Sequence, residues 1–199
     1  NNLLKEKKGA FIELEQDAPA LKYPWELFPL LDILFKGQKE QKIIDPTAII
    51  GEGTVIDGSV YIGKNCVIGA QNVLRGPLNL EEGVKTGAFC EIKESIVQQN
   101  THFHSGYIGN SIIGRNGRFG AGFITGNRRI DRATIKAYVK ETKVDTGITS
   151  FGTVIGNNVK AGIHAGTMPG VFIGNNCMIH PGVQVKRNAE DGTVLEKSE

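Results

Sequence analysis

A six-residue rhythm constrains this chain more than any other feature. Aliphatic residues stand at Ile44, Ile50, Ile56, Ile62, Ile68, Leu74, Leu80 and Ile92, and Thr86 is the single lapse in those nine positions. The spacing returns at Ile155, Ala161, Thr167, Ile173, Ile179 and Val185. Glycine often follows, as at Gly51, Gly63, Gly69, Gly87, Gly114, Gly120, Gly156, Gly162 and Gly174. It reaches 26 of 199 residues, nearly twice its usual share of roughly 7%. Four residues after the aliphatic comes a small or β-branched residue, among them Thr54, Val60, Val84, Val159, Val171 and Val183.

A period of six suits neither a helix of 3.6 residues per turn nor one long alternating strand. It suits short strands joined by bends, three hexapeptides to a coil, stacked as a parallel β-helix. Each aliphatic then points inward, and the glycine beside it permits backbone conformations that a Cβ penalises. Strands of successive coils pair about 4.8 Å apart and satisfy one another's backbone groups. Cys66, Cys90 and Cys177 share one slot of the repeat, otherwise held by Val or Thr. They read as buried core fillers without redox or metal chemistry. An odd cysteine count without CxxC spacing argues against a disulfide framework.

The expected organisation has three parts. Residues 1–43 lie outside the repeat, and within them PWELFPLLDILFKGQ (24–38) reads as a short N-terminal helix. Pro24 suits its first turn, and Leu27, Leu30, Leu31, Ile33, Leu34 and Phe35 give it an apolar face. Such a helix is expected to pack on the coil and cover an open end. The β-helix follows over 44–187, interrupted at about 128–150 by a projecting β-hairpin with its turn near Lys140–Lys143. A polar tail, 188–199, closes the chain.

Composition narrows the function classes. Hydrophobic residues at 40% and charged residues at 22% are enough for a folded core. A net charge of +2 does not point to nucleic acid. No stretch reaches the roughly 20 apolar residues of a membrane span, and the N-terminus shows no signal-peptide core, so a cytoplasmic protein is expected. The charge is nonetheless uneven. Arg115 to Lys143 holds eight basic residues against Asp131 and Glu141, a local +6 that suits phosphate-bearing ligands.

The most informative segment is EIKESIVQQNTHFHSGYIGNSIIGRNGRFGAGFITGN, Glu91–Asn127. Its HSGYIGNSIIG and GAGFITGN, with LRG at 74–76, YPWEL at 23–27, DTGITSFGTVIG and AGIHAGTMPGVFIG, carry a resemblance. The chain resembles the C-terminal half of the bifunctional N-acetylglucosamine-1-phosphate uridyltransferase/glucosamine-1-phosphate acetyltransferase family, especially its archaeal-type sugar-phosphate nucleotidyltransferase relatives. That resemblance implies a left-handed parallel β-helix, a homotrimer with sites between subunits, and acetyl-CoA as co-substrate without a metal. It implies His104 as general base and Arg75 and Lys93 as a phosphate-binding pair. Tyr107, Arg118, Asn127 and Lys136 become substrate contacts, and Ala121 a cofactor contact. A neutral imidazole is the natural base for an amine attacking a thioester, and backbone N–H groups of glycine-rich turns can hold the oxyanion.

The sequence also departs from the family. Arg118 replaces an Asn, Arg128–Arg129–Ile130 replace Tyr-Asp-Gly, and Phe103 precedes the histidine where Pro or Gly is common. Nothing in 1–43 resembles a nucleotidyltransferase phosphate loop, so nucleotidyl transfer is not expected of this chain. The expected activity is N-acetylation of an amino-sugar phosphate. The alternatives are a non-catalytic trimerisation or regulatory module, for which a separate nucleotidyltransferase is a candidate partner, and a γ-class carbonic anhydrase-like zinc protein using His102, His104, His164 or His180.

Overall fold

The computed structural model describes residues 21–35 and 41–197. Three parallel sheets form the faces of a coil. The first holds Lys42–Ile44, Val60–Ile62, Leu78–Leu80, Ile96–Val97, Ile112–Ile113, Thr153–Ile155 and Val171–Ile173. The second holds Ile49–Ile50, Val67–Ile68, Lys85–Thr86, His102–Phe103, Arg118–Phe119, Lys160–Ala161, Met178–Ile179 and Val194–Leu195. The third holds Val55–Asp57, Val73–Arg75, Cys90–Lys93, Gly106–Gly109, Phe123–Thr125, Gly166–Thr167 and Gln184–Val185. The chain visits the faces in turn, so every strand pairs with the strand one coil away.

The periodic aliphatics fill the interior. Ile62, Ile68, Leu74, Leu80 and Ile92 are buried in one cluster with Cys66, Cys90 and Cys177. Burial pushes the Cys66 thiol up and the Cys90 thiol up to about 11, as suits cysteines that serve as filler. The lapse at Thr86 is compensated inside the core. Its hydroxyl oxygen accepts from the Gly69 N–H at 3.1 Å and from the buried Asn72 amide at 3.2 Å.

The glycines beside the aliphatics serve a different purpose from the one expected. Gly51, Gly69, Gly114 and Gly156 do not have left-handed φ values. A Cβ on them would instead collide with the next coil: 2.5 Å from the Gly69 carbonyl carbon at position 51, 2.5 Å from that of Gly156 at position 114. Coils stack too closely there for any side chain. Asparagines take many of the left-handed corners. Asn65, Asn100, Asn116, Asn158 and Asn176 have φ of 56–60°, a region Asn tolerates better than most residues. Three of them form a ladder, Asn116 donating to Asn158 at 3.1 Å and Asn158 to Asn176 at 3.0 Å.

Register shows where the repeat changes. Val60 pairs with Leu78, and Val73 with Glu91, each eighteen residues on. Asn79 pairs with Ile96 after seventeen residues, Ile96 with Ile112 after sixteen, and Glu91 with Tyr107 after sixteen. The pairings of His102 with Lys85, seventeen back, and Arg118, sixteen on, locate the losses further. One residue is lost in each of three corners: between Glu91 and Ile96, between His102 and Tyr107, and between Tyr107 and Ile112. Phe103, Phe119 and Phe123 fill the interior at these coils, with ring centroids 4.8 and 4.6 Å apart.

The first face is the covered one. A 3₁₀ turn, Pro24–Glu26, leads into helix α1, Leu27–Phe35; residues 36–38 of the expected helix lie outside the described residues. The helix lies along the outer side of this face, where Leu27, Leu30, Leu31 and Phe35 share a groove with Ile43, Tyr61 and Ile96. It covers a flank and not an open end, because the outward residues of that flank are themselves apolar. Further along, the antiparallel hairpin Lys136–Val139/Thr142–Asp145 lies on the same side. Trp25, Ile135, Ala137 and Phe151 form a second buried cluster there, with Phe172 and Val154 packed on it. The tail is not wholly irregular. Val194–Leu195 adds a strand to the second face beside Met178–Ile179, and Ala189 bridges Ile173.

Candidate active site

Arg75 and Lys93 stand in register on neighbouring strands of the third face, their side chains on one side of the sheet. Each has an acidic companion: Arg75 Nη1 lies 3.1 Å from Glu91 Oε1, and Lys93 Nζ 3.1 Å from Glu94 Oε1. Lys93 pairs in turn with Gly109, two residues beyond Tyr107. A Cβ at Gly109 would lie 2.5 Å from the Tyr107 hydroxyl, so this glycine makes room for the phenol. Asn127, just past the next strand, donates from Nδ2 to Tyr107 Oη at 3.0 Å and to Asn110 Oδ1 at 2.7 Å. Asn110 Nδ2 donates to Glu94 Oε2 at 2.7 Å. One network therefore joins Lys93, Glu94, Asn110, Asn127 and Tyr107, with the Arg75–Glu91 pair beside it. Burial pushes the Tyr107 hydroxyl above its usual pKa, opposed by the nearby Lys93 charge.

His104 occupies the shortened corner between the second and third faces, and its side chain is exposed. Its backbone N–H donates to Phe119 O at 2.9 Å, which fixes the corner independently of the imidazole. Ala121 sits on the equivalent corner one coil on. The Gly120 and Gly122 N–H groups there already donate to Ala161 O and Ser105 O, so the glycines themselves do not supply free oxyanion donors.

Two predicted site residues lie elsewhere. Arg118 faces outward on the second sheet, its guanidinium donating to Asn100 O at 2.6 Å and Gly117 O at 2.9 Å. Lys136, on the hairpin, lines a cleft of about 500 Å³ with Arg128, Arg129 and Met168. There Arg129 is paired with Asp131, and Arg128 Nε donates to Ser150 Oγ at 3.0 Å. The run of basic residues is thus divided between two surfaces. On the second face Lys85, His102, Arg118 and Lys160 form a ladder on consecutive strands. Burial first, then the Arg118 and Lys85 charges, hold His102 below its ordinary value. Replacing Lys85 or Arg118 with Gln is expected to raise the His102 titration, read from its ring protons by NMR. Because the folded value is depressed, the unfolded chain takes up the proton first as pH falls below 6.5. Stability at this residue accordingly declines with acidification through that window, and the Gln variants should weaken the decline.

Glu91, Glu94 and Asn110 escaped sequence reasoning. For Glu94 and Asn110 the signal was the broken repeat: both sit in corners that lost a residue, at left-handed φ of 46 and 47°. His104 sits in the third such corner. Among the described residues no group of three His, Cys, Asp or Glu side chains is placed to hold a metal, and no helix is long and apolar enough to cross a membrane.

A coil built from hexapeptides, with its polar network at the irregular corners, places the chain in the class of hexapeptide-repeat β-helix proteins. The family model described as bacterial transferase hexapeptide (six repeats) matches residues 152–187. Within that class the chain is related to the C-terminal half of the bifunctional GlmU-type proteins. It is 34% identical to the bifunctional protein GlmU of Methanocaldococcus jannaschii, over 98% of this chain and 52% of that protein. It is also 34% identical to the bifunctional sugar-1-phosphate nucleotidylyltransferase/acetyltransferase of Sulfurisphaera tokodaii, over 77% of this chain and 39% of that one. The chain spans about half the length of these curated relatives or less. Among solved structures, the polysialic acid O-acetyltransferase OatWY shares the fold, with a TM-score of 0.55 at 17% identity over 79% of this chain and 87% of that one.

Proposed function

We propose that this chain transfers an acetyl group from acetyl-CoA to the amine of an amino-sugar phosphate of the glucosamine 1-phosphate type. The observation that carries the reading is the gathering of Arg75, Lys93, Tyr107 and Asn127 on one surface from positions up to 52 residues apart. The two relatives at 34% identity are named as bifunctional proteins, one explicitly with an acetyltransferase activity. Arg75 and Lys93 receive the phosphate, exchanging part of their pairing with Glu91 and Glu94 for it. Tyr107 and Asn127 meet the sugar.

His104 accepts a proton from the amine as its nitrogen attacks the thioester carbonyl carbon. The tetrahedral oxyanion collapses, the C–S bond breaks, and the thiolate leaves and takes a proton. At the Ala121 corner the alanine N–H is the remaining backbone donor for that oxyanion. Arg118 and Lys136 approach the ligand only if a neighbouring subunit presents them, which suits a homotrimer; light scattering should report three copies.

Thiol release from acetyl-CoA in the presence of glucosamine 1-phosphate tests the reading. Release that depends on the sugar supports it. No release with any hexosamine phosphate overturns it and assigns an assembly or regulatory module instead.

A further inference from the structure

We propose that Glu94 and Asn110 are positioning residues that set Tyr107 as a donor and Asn127 as an acceptor toward a single sugar hydroxyl. The inference takes the sugar itself from the acetyltransferase reading; the relay is a property of the chain alone.

An asparagine amide has an acceptor oxygen at one end and two donor hydrogens at the other, so its orientation decides what it can recognise. The carboxylate of Glu94 can only accept. With Glu94 Oε2 2.7 Å from Asn110 Nδ2, reversing the Asn110 amide would set its carbonyl oxygen against that carboxylate. The Asn110 oxygen is therefore turned to Asn127, and accepts from its Nδ2 at 2.7 Å. Reversing Asn127 would bring two carbonyl oxygens together, so its orientation is set in turn. Its second hydrogen is donated to Tyr107 Oη at 3.0 Å. A phenol that accepts from the protein keeps its own hydrogen to give outward, and the Asn127 oxygen remains to receive one. A sugar hydroxyl both donates and accepts, and such a pair matches it.

The relay has a fixed start. Lys93 holds the second carboxylate oxygen of Glu94 at 3.1 Å, so the residue that would meet the phosphate also anchors the chain of orientations. Asn110 is buried, with only 5% of its surface exposed. In such a place an amide with its polarity reversed costs a desolvated, unpaired group. Glu94 and Asn110 occupy two of the three shortened corners, and the tightened backbone is what turns both side chains toward one another.

The test uses Asn110→Ala and the double variant Glu94→Gln with Asn110→Asp. In the double variant the glutamine amide donates to the aspartate and the aspartate accepts from Asn127, so the polarity at Asn127 is restored. Asn110→Ala should raise KM for the sugar phosphate about tenfold, with kcat and KM for acetyl-CoA nearly unchanged, and the double variant should recover most of the loss. A second readout does not involve catalysis. Ultraviolet titration of the Tyr107 phenol, taken as the difference from Tyr107→Phe, should move upward in Asn110→Ala, because the donor from Asn127 is no longer held. Should Asn110→Ala not fold, Asn110→Gly, which leaves the charges in place and adopts the left-handed φ of 47° at that corner without strain, is titrated in its place with the same expectation. A Tyr107 titration that does not move overturns the relay. If the wild type transfers no acetyl group, the acetyltransferase reading fails by itself, and the titration still decides the relay.

Discussion

Replacing His104 with alanine should lower acetyl transfer by about 10²–10⁴-fold, the usual contribution of a positioned general base. Thermal unfolding should stay close to that of the wild type, because surface changes of this kind are worth within about 0.5 kcal/mol. The two expectations separate because of how the corner is built. The backbone N–H of His104 holds the neighbouring coil through Phe119 O, and alanine retains that bond. The exposed ring takes no part in that bond. His102, two residues earlier, provides the control. It faces outward on the second sheet between Lys85 and Arg118, so His102→Ala should leave transfer largely intact. Undiminished transfer in His104→Ala would remove the catalytic assignment while leaving the fold untouched.

The largest structural effect is expected from the glycine columns. Gly114→Ala should destabilise the coil by about 3 kcal/mol, at the upper end of overpacking costs. Its Cβ would lie 2.5 Å from the Gly156 carbonyl carbon and 2.8 Å from the Asn157 nitrogen. Both obstacles are backbone, so two coils must part and the pairing of Ile112–Ile113 with Val154–Ile155 must stretch. Gly192→Ala offers the contrast. Gly192 has φ of 74°, and a Cβ there would meet nothing within 4 Å, so only conformational strain of about 1 kcal/mol is expected. Denaturant unfolding of the two variants should therefore separate them clearly. Equal losses would mean that the coils part at Gly114 at little cost and that the columns do not set the approach of coils.

The fold was legible because its signal is periodic. One inward aliphatic in six residues is imposed by the narrow interior, and many coils repeat the same statement. The role of glycine was misread because its two uses look alike in a sequence. Gly51 and Gly53 differ by two positions, yet the first admits the next coil's backbone while the second takes a φ of 72°. The helix showed its apolar face but not its destination, since Leu31 packing along a flank and Leu31 packing over an end have the same pattern. The strand at Val194–Leu195 was hidden within a polar stretch, because only two apolar residues mark it.

The arrangement of the candidate site was legible in part. Arg75, Lys93, Tyr107 and Asn127 came from resemblance, and the structure brings them to one surface. Glu94 and Asn110 carry no motif, and their importance arises from corners that lost a residue. A break in a repeat is visible in a sequence, but the side chains that it turns together are not. Arg118 and Lys136 show the opposite limit: within one chain they face other surfaces, and a role at this network needs a second copy.

The central claim is that this surface delivers an acetyl group to a sugar amine. Incubating the protein with acetyl-CoA and glucosamine 1-phosphate, and following the sugar by proton NMR, tests it most directly. The account predicts a new N-acetyl methyl signal on the sugar that grows with free coenzyme A, in equal amount, and that is lost in His104→Ala. A sugar that remains unacetylated, or coenzyme A released without any acetylated sugar, would contradict it.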